Sequence, residues 1–284
     1  MLHALSFDVE EYFQVANLRH AFAREDWGSV ESRLAVGMER ILGALERHDA
    51  HATFFFLGWI AEQHPDWVRR CLDDGHEVAS HGYEHEFLWD LGPERFEEDL
   101  ARTEGALEVA GAPRPIGFRA STFTLTRKTW WAFETLARRG YLYDSSVHPV
   151  RHPVYGVPDF EPGISTVSTP EGPLVEFPVA TWRAFGRNWP VGGGGYFRLL
   201  PLAVTRRAFA RLESAGRPGG LYLHPWEFDP EQPRVPAPWS STFRHRLNLS
   251  RSLPRLEALL ARFRFGSFRD ALVEAGALPR ELTR

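Results

Sequence analysis

The sequence predicts an α/β fold built on a parallel sheet. Two observations predict it: strand-like and helix-like segments alternate through the first half, and polar clusters stand where the strand-like segments end. Residues 4–7, Ala-Leu-Ser-Phe, read as a short buried strand. Helical spacing of Leu34, Met38, Ile41, Leu42 and Leu45 marks a helix over 30–47. Residues 52–57, dense in Phe, form the second strand. A short helix over 65–72 opens on Pro65 and is closed by Asp74-Gly75, after which 76–80 form the third strand. A helix over 93–110, a strand over 116–118, a helix over 129–139 ended by Gly140 and a strand over 141–143 complete the alternation.

Residues 145–200 break that rhythm. They are rich in Pro and Gly, hold short β-type pieces such as 174–179, and read as an elaborated surface region forming one wall of the site. Residues 219–224 restore a buried strand. A helix carrying Leu253, Leu256, Leu259, Leu260 and Phe263 then leads to a strand at 265–268 and a closing helix. These last elements extend the first half, so 1–284 reads as a single domain with core 4–144 and 219–274 and an elaborated region 145–218.

The composition narrows the function classes. With 43% hydrophobic and 25% charged residues the chain is globular, and its 10 Trp and 21 Phe point to a large core, a site for flat apolar faces such as sugar rings, or both. A net charge of -4 gives no footprint for nucleic acid. The single cysteine, Cys71, excludes an intrachain disulfide and a Cys-rich metal site. No apolar run approaches the roughly 18 residues of a membrane span. Met1-Leu2-His3 runs straight into a strand, so no signal peptide is expected and the chain reads as cytoplasmic.

Four polar clusters carry the chemistry. In Ser6-Phe7-Asp8-Val9-Glu10-Glu11, residues two apart on a strand share a face, which places Asp8 and Glu10 together and Phe7 and Val9 opposite. Two such carboxylates suit a metal ligand beside a general base; a solvated acidic turn is the plainer reading. His81-Gly82-Tyr83-Glu84-His85 holds two histidines four apart, which a helical turn would project to one side to reach one zinc ion. Two His and one carboxylate make an open three-ligand site, with a fourth position for water. Arg119, after the 116–118 strand, is either a rim ion pair or a planar fork that locks a carboxylate. His224, leaving an apolar strand beside Trp226, fits a general acid near neutral pH. The run Gly192 to Gly195 lacks the Lys-Ser/Thr of a phosphate loop and reads as a tight turn against a neighbouring backbone or a sugar.

Taken in order, these clusters resemble the polysaccharide deacetylases of the NodB-homology class, the fourth carbohydrate-esterase family. Ala52-Thr53-Phe54-Phe55 and Gly75-His76-Glu77-Val78-Ala79-Ser80-His81-Gly82-Tyr83 add to the resemblance, which runs from Leu5 to about Leu272. The chain looks most like the branch associated with exopolysaccharide and exosortase gene clusters. Phe7-Asp8-Val9-Glu10, Tyr143-Asp144-Ser145-Ser146, Gly193-Gly194-Gly195-Tyr196-Phe197-Arg198 and Leu223-His224-Pro225-Trp226-Glu227 carry that likeness. The resemblance implies a distorted, incomplete (β/α) barrel and a hydrolase that removes acetyl groups from an N-acetylated oligo- or polysaccharide. It makes His81 and His85 metal ligands, Asp8 the general base, Arg119 its orienting partner, His224 the general acid and Asp144 the support of His224. The family's adjacent Asp-Asp pair is here Asp8-Val9, so the third ligand passes to Glu10 by the strand-face argument. His148 stands where the family carries a Trp in its acetyl pocket. Zn²⁺ is the expected ion, although such a donor set accepts other first-row divalent metals. The implied oxyanion is held by the metal and a backbone N–H near Arg119. An amidohydrolase acting on small cyclic amides or ureides is the runner-up, because the same fold hosts those activities.

Overall fold

The computed structural model describes residues 1–235 and 237–282. Its strands are β1 (His3–Val9), β2 (Thr53–Phe56), β3 (Glu77–Ser80), β4 (Gly117–Phe118), β5 (Tyr143–Asp144), β6 (Ser165–Thr169), β7 (Gly172–Glu176), β8 (Thr181–Ala184), β9 (Arg187–Pro190), β10 (Gly220–Leu223) and β11 (Phe265–Gly266). The main sheet runs β10-β1-β2-β3-β4-β5-β7-β6, with β11 also on β1. Its pairs are parallel except β6 with β7, while β8 and β9 make a separate antiparallel hairpin. Beyond β7 the chain returns to the other edge: Val179 bridges Gly220 of β10 in parallel, and Ala180 N donates to Gly220 O at 2.9 Å. The sheet therefore curls into a distorted barrel, with β6 outside the ring.

Alternation along each strand sorts the core into two layers. Leu5, Phe7, Val9, Phe54, Phe56, Leu221 and Leu223 face outward. They pack with Met38, Ile41 and Leu45 of helix Leu34–Arg47, Phe209 of helix Leu202–Ser214 and Leu256 of helix Ser252–Leu260. Ala4, Phe55, Ala79, Tyr143, Val175 and Phe177 face inward, and Phe268 of the closing helix Phe268–Glu274 fills the space between them. Helix Leu34–Arg47 begins where Glu11 accepts from the N–H groups of Arg33 (3.1 Å) and Leu34 (3.2 Å), an acid at the positive end of a helix. Helix Leu88–Val109 has Gly92 at φ 70° followed by Pro93; the regular part starts at the proline, where the sequence places its start.

Two features depart from the sequence reading. Part of the 145–200 region is integral to the barrel: β7 pairs with β5, and Leu174, Phe177 and Val179 are buried. The β-type piece read at 174–179 overlaps β7; its place in the main sheet, beside β5, is what the sequence does not show. The β8–β9 hairpin forms a sheet of its own, with Phe185 exposed at its turn. Second, residues 81–85 form an irregular loop instead of a helical turn.

The β5–β7 register sets Asp144 opposite Glu176, and both are fully buried. Asp144 accepts from Ser146 N (2.9 Å) and Ser146 Oγ (2.5 Å), while Glu176 accepts from Val147 N (3.0 Å). Burial raises Asp144, and burial with the facing Asp144 pushes Glu176 well above the ordinary carboxylate range. The folded state therefore holds these protons more tightly than the unfolded chain. Their stabilisation is complete below the ordinary carboxylate value of about 4 and is lost as pH rises through the raised values. Asp144→Asn should flatten the fall in thermal midpoint between about pH 4.5 and pH 8. A slope equal to that of the wild type would show that the pair does not titrate on unfolding.

Candidate metal centre and active site

The site lies at the C-terminal edge of the barrel. In-register residues Val9, Phe56, Ser80, Phe118 and Asp144 end their strands together. Glu10, His81 and Arg119 each follow one of them directly, and His224 follows Leu223 of β10.

Glu10, His81 and His85 come together: one donor atom from each lies within 4.8 Å of the other two. The rings of His81 and His85 are 5.5 Å apart. They meet because His85 takes left-handed backbone (φ 56°), a conformation non-glycine residues adopt only under tertiary constraint. That constraint is visible nearby. Asp99 accepts from Tyr83 N at 3.1 Å, and Gly82 O and Tyr83 O accept from Gly58 N (2.9 Å) and Trp59 N (3.1 Å). His81 Nδ1 sits 2.8 Å from Arg119 O, so this nitrogen donates to the carbonyl and Nε2 keeps its lone pair.

The donor chemistry fits a divalent cation. Glu10 Oε2 is buried without a hydrogen-bond partner, 3.0 Å from His85 Nε2. Burial lowers His81, and burial together with His81 and His224 holds His85 well below the ordinary histidine value, so both rings are held neutral, the form that can offer a lone pair to a cation. Burial also raises Glu10 to about 7, against the pull of His224 and the Trp226 Nε1–H bond at 3.1 Å. Two neutral imidazoles and one carboxylate are the donor types of an open zinc site.

Asp8 and Arg119 form the second cluster. Arg119 Nη1 donates to Asp8 Oδ1 (2.6 Å) and Ser6 Oγ (2.6 Å), Nη2 to Ser145 Oγ (2.9 Å) and Nε to Ser145 O (3.1 Å). Its guanidinium lies over Phe55 at 4.2 Å and Phe268 at 5.1 Å. Of the two readings of Arg119, the structure holds the planar fork. The backbone N–H groups of Arg119 and Ala120 are already bonded, to Ser80 O and Ser146 Oγ, so neither serves as the expected oxyanion donor.

His224 is paired differently from expectation. Asp144 lies on the outward face of β5, between Tyr143 and Ser145, and turns to Ser146 and Glu176; a one-residue offset on a strand reverses the side-chain direction. Glu227 takes the place expected of it: His224 Nδ1 is 3.5 Å from Glu227 Oε1, and His224 Nε2 is 3.6 Å from Glu10 Oε1. Burial opposes the imidazolium, but Glu227 and Glu10 outweigh it and raise His224 to about 9. Trp226 stacks on His224 at 5.2 Å and on His245 at 4.3 Å, which makes it a wall of the site. His148 is buried behind Phe123, whose ring lies 4.7 Å from Tyr222, itself 5.4 Å from His224. Sequence reasoning missed Glu227 and Arg198 as partners; the three-residue spacing from His224 across Pro225 was the available signal.

Comparison with known proteins gives two family matches. Residues 31–140 match the Polysaccharide deacetylase family, and residues 145–273 match a domain of unknown function, DUF3473. Peptidoglycan deacetylase-like protein FGM2 of Gibberella zeae is 33% identical over 114 residues, 39% of this chain and 33% of that protein. A chitooligosaccharide deacetylase of Rhizobium leguminosarum bv. trifolii is 39% identical over 75 residues, 26% of this chain and 34% of that protein. The aligned segments thus span about a third of these relatives. A crystal structure of a candidate polysaccharide deacetylase from Mycobacterium smegmatis shares the fold over 100% of this chain and 94% of its own, with TM-score 0.65 and 19% identity. Residues 31–140 are thus similar to the Polysaccharide deacetylase family, and the fold is that of the Mycobacterium smegmatis structure. Both matched segments feed one sheet: β2, β3 and β4 come from the first, and β6, β7, β10 and β11 from the second. Among the described residues no helix is long and apolar enough to cross a membrane.

The glycine run has a packing role. A methyl group on Gly194 would overlap the Glu227 carboxylate, and Gly192 backs onto the carbonyl of Gly220. Gly194→Ala should destabilise the fold by about 1–3 kcal/mol, the usual cost of an overpacked buried site. A denaturation midpoint within error of wild type would show that Glu227 has room to move.

Proposed function

We propose that this protein is a metal-dependent hydrolase that removes N-acetyl groups from amino sugars of a bacterial polysaccharide, in exopolysaccharide synthesis. The observation that carries the reading is the Glu10–His81–His85 donor set with the Arg119-held Asp8 on the same barrel edge. Bound there, a divalent cation, Zn²⁺ first, supplies Lewis acidity to an acetamide carbonyl and lowers the pKa of water.

The chain's own residues do the proton work. Arg119 occupies Asp8 Oδ1, which fixes the carboxylate as an acceptor for the proton of the attacking water. His224 Nε2 faces Glu10, on the metal side of its ring, and gives a proton to the nitrogen as the C–N bond breaks. Acetate and a free amino sugar leave. Trp226 and Tyr222 border His224 and wall the site on this side, with the Trp226 ring stacked between His224 and His245.

Acetate release from N-acetylglucosamine oligomers, measured beside cyclic amides, tests the reaction; turnover of the cyclic amides alone would overturn it. His85→Ala and Glu10→Gln should lose metal and activity together. Asp8→Asn and His224→Ala should keep the metal and lose roughly 10²–10⁴-fold in kcat. Full metal content in the first two variants would remove them from the ligand set.

Metal binding should also depend on pH. Glu10 is raised to about 7 and must ionise to ligate, so the ion displaces a proton and affinity weakens as pH falls through about 7. Metal titrations at about pH 6 and pH 8 should differ by roughly tenfold or more. Equal affinities would mean that Glu10 is not a ligand.

A further inference from the structure

Behind His224 lies a buried charge pair that none of these proton transfers uses. Glu227 has no solvent exposure; its carboxylate accepts from Arg198 Nε at 3.1 Å and from the His224 backbone N–H at 3.3 Å, and lies 3.5 Å from His224 Nδ1, a buried nitrogen that makes no hydrogen bond. Arg198 is 3% exposed and is itself fixed. Its Nη1 donates to the carbonyls of Arg244 (3.2 Å), His245 (3.0 Å) and Leu247 (2.8 Å), and its guanidinium lies 5.1 Å from the Trp226 ring. Gly194 backs onto the carboxylate with no space for a side chain. A buried ion pair rarely adds net stability over apolar packing, so the fold keeps this one at a cost that a positioning role would explain.

We propose that Glu227, clamped by Arg198, is the positioning residue of His224, holding its Nδ1–H so that Nε2 points to the leaving nitrogen. The proposal rests on the reading of His224 as the acid. A carboxylate on one ring nitrogen fixes both the tautomer and the ring plane. The charge of Arg198 keeps Glu227 ionised, so that the carboxylate orients the imidazole without removing its proton. Asp144 does not fill this role, because it lies on the outward face of β5. Gly194, Arg198, His224, Trp226 and Glu227 all fall in the 145–273 segment, which thereby acquires a chemical assignment: it carries the acid half of the site, while the ligands and the base come from residues before it.

The test is a double-mutant cycle with Glu227→Gln and Arg198→Met, read by metal content, kcat, KM and the imidazole ¹⁵N spectrum. The His224 signals are identified by their loss in His224→Gln. Each single variant should keep the metal and a KM within about twofold, and lose about 10- to 100-fold in kcat, the usual worth of a group that orients a site histidine. The double variant should be no worse than the worse single, because Arg198 acts through Glu227. The His224 Nδ1 resonance should move in both singles. Unchanged kcat in Glu227→Gln, an unmoved Nδ1 resonance, loss of metal or additive losses in the double variant would each overturn the proposal. If Glu227→Gln fails to fold by circular dichroism, Arg198→Lys, which keeps the charge and loses the fork, carries the same readouts. A wild-type protein that releases no acetate would sink the deacetylase reading, and the Nδ1 resonance would still decide this one.

Discussion

The barrel is organised around one buried cation. Arg119 has no solvent exposure, yet its guanidinium is satisfied by Ser6, Asp8 and Ser145 and lies over Phe55 and Phe268. It therefore ties β1 to the chain just past β5, across a core that the closing helix completes. Removing either partner of such a pair leaves an uncompensated buried charge, at a cost of about 3–5 kcal/mol. The same contact holds Asp8 at the edge where the candidate metal ligands gather. The contact that satisfies this buried charge thus also orients the proposed base.

The histidines depend on that frame at one remove. His81 donates to the carbonyl of Arg119, so the residue that fixes Asp8 also sets the tautomer of a candidate ligand. His85 reaches the same space only through a left-handed turn, held by Asp99 and by the chain around Gly58. On the opposite wall, the Arg198–Glu227 pair and the stack of His245, Trp226 and His224 form a second rigid unit. The two units meet at Glu10, which lies against His85, His224 and Trp226 at once.

Much of this frame is legible in the sequence. The period-two argument puts Asp8 and Glu10 on one face; β1 stays extended through Val9, and both carboxylates lie close enough to His224 to raise it. Strand and helix positions are legible wherever the apolar pattern is strong, as in residues 30–47 and 52–57. β7 is legible as a β-type piece over 174–179 but not as a barrel strand, because Glu176 occupies an outward position that the pattern reserves for an apolar residue. The expected Asp144–His224 pairing comes from the order of motifs, which says which residues share a region but not which face of a strand each occupies.

Local sequence chemistry determined the alternating α/β architecture, the strand ends where polar groups accumulate, and the types of residue available for a metal and for proton transfer. Those depend on periodicities that span only a few residues. Tertiary structure decided the rest. It closed the sheet through Val179 and Gly220, set His85 in its left-handed conformation and placed Glu227, in the position expected of Asp144, beside His224. Each of those choices balances groups far apart in the chain, such as Arg198 against Glu227 or Asp99 against Tyr83. A buried polar group is satisfied by whatever partner the packed fold brings within about 3 Å.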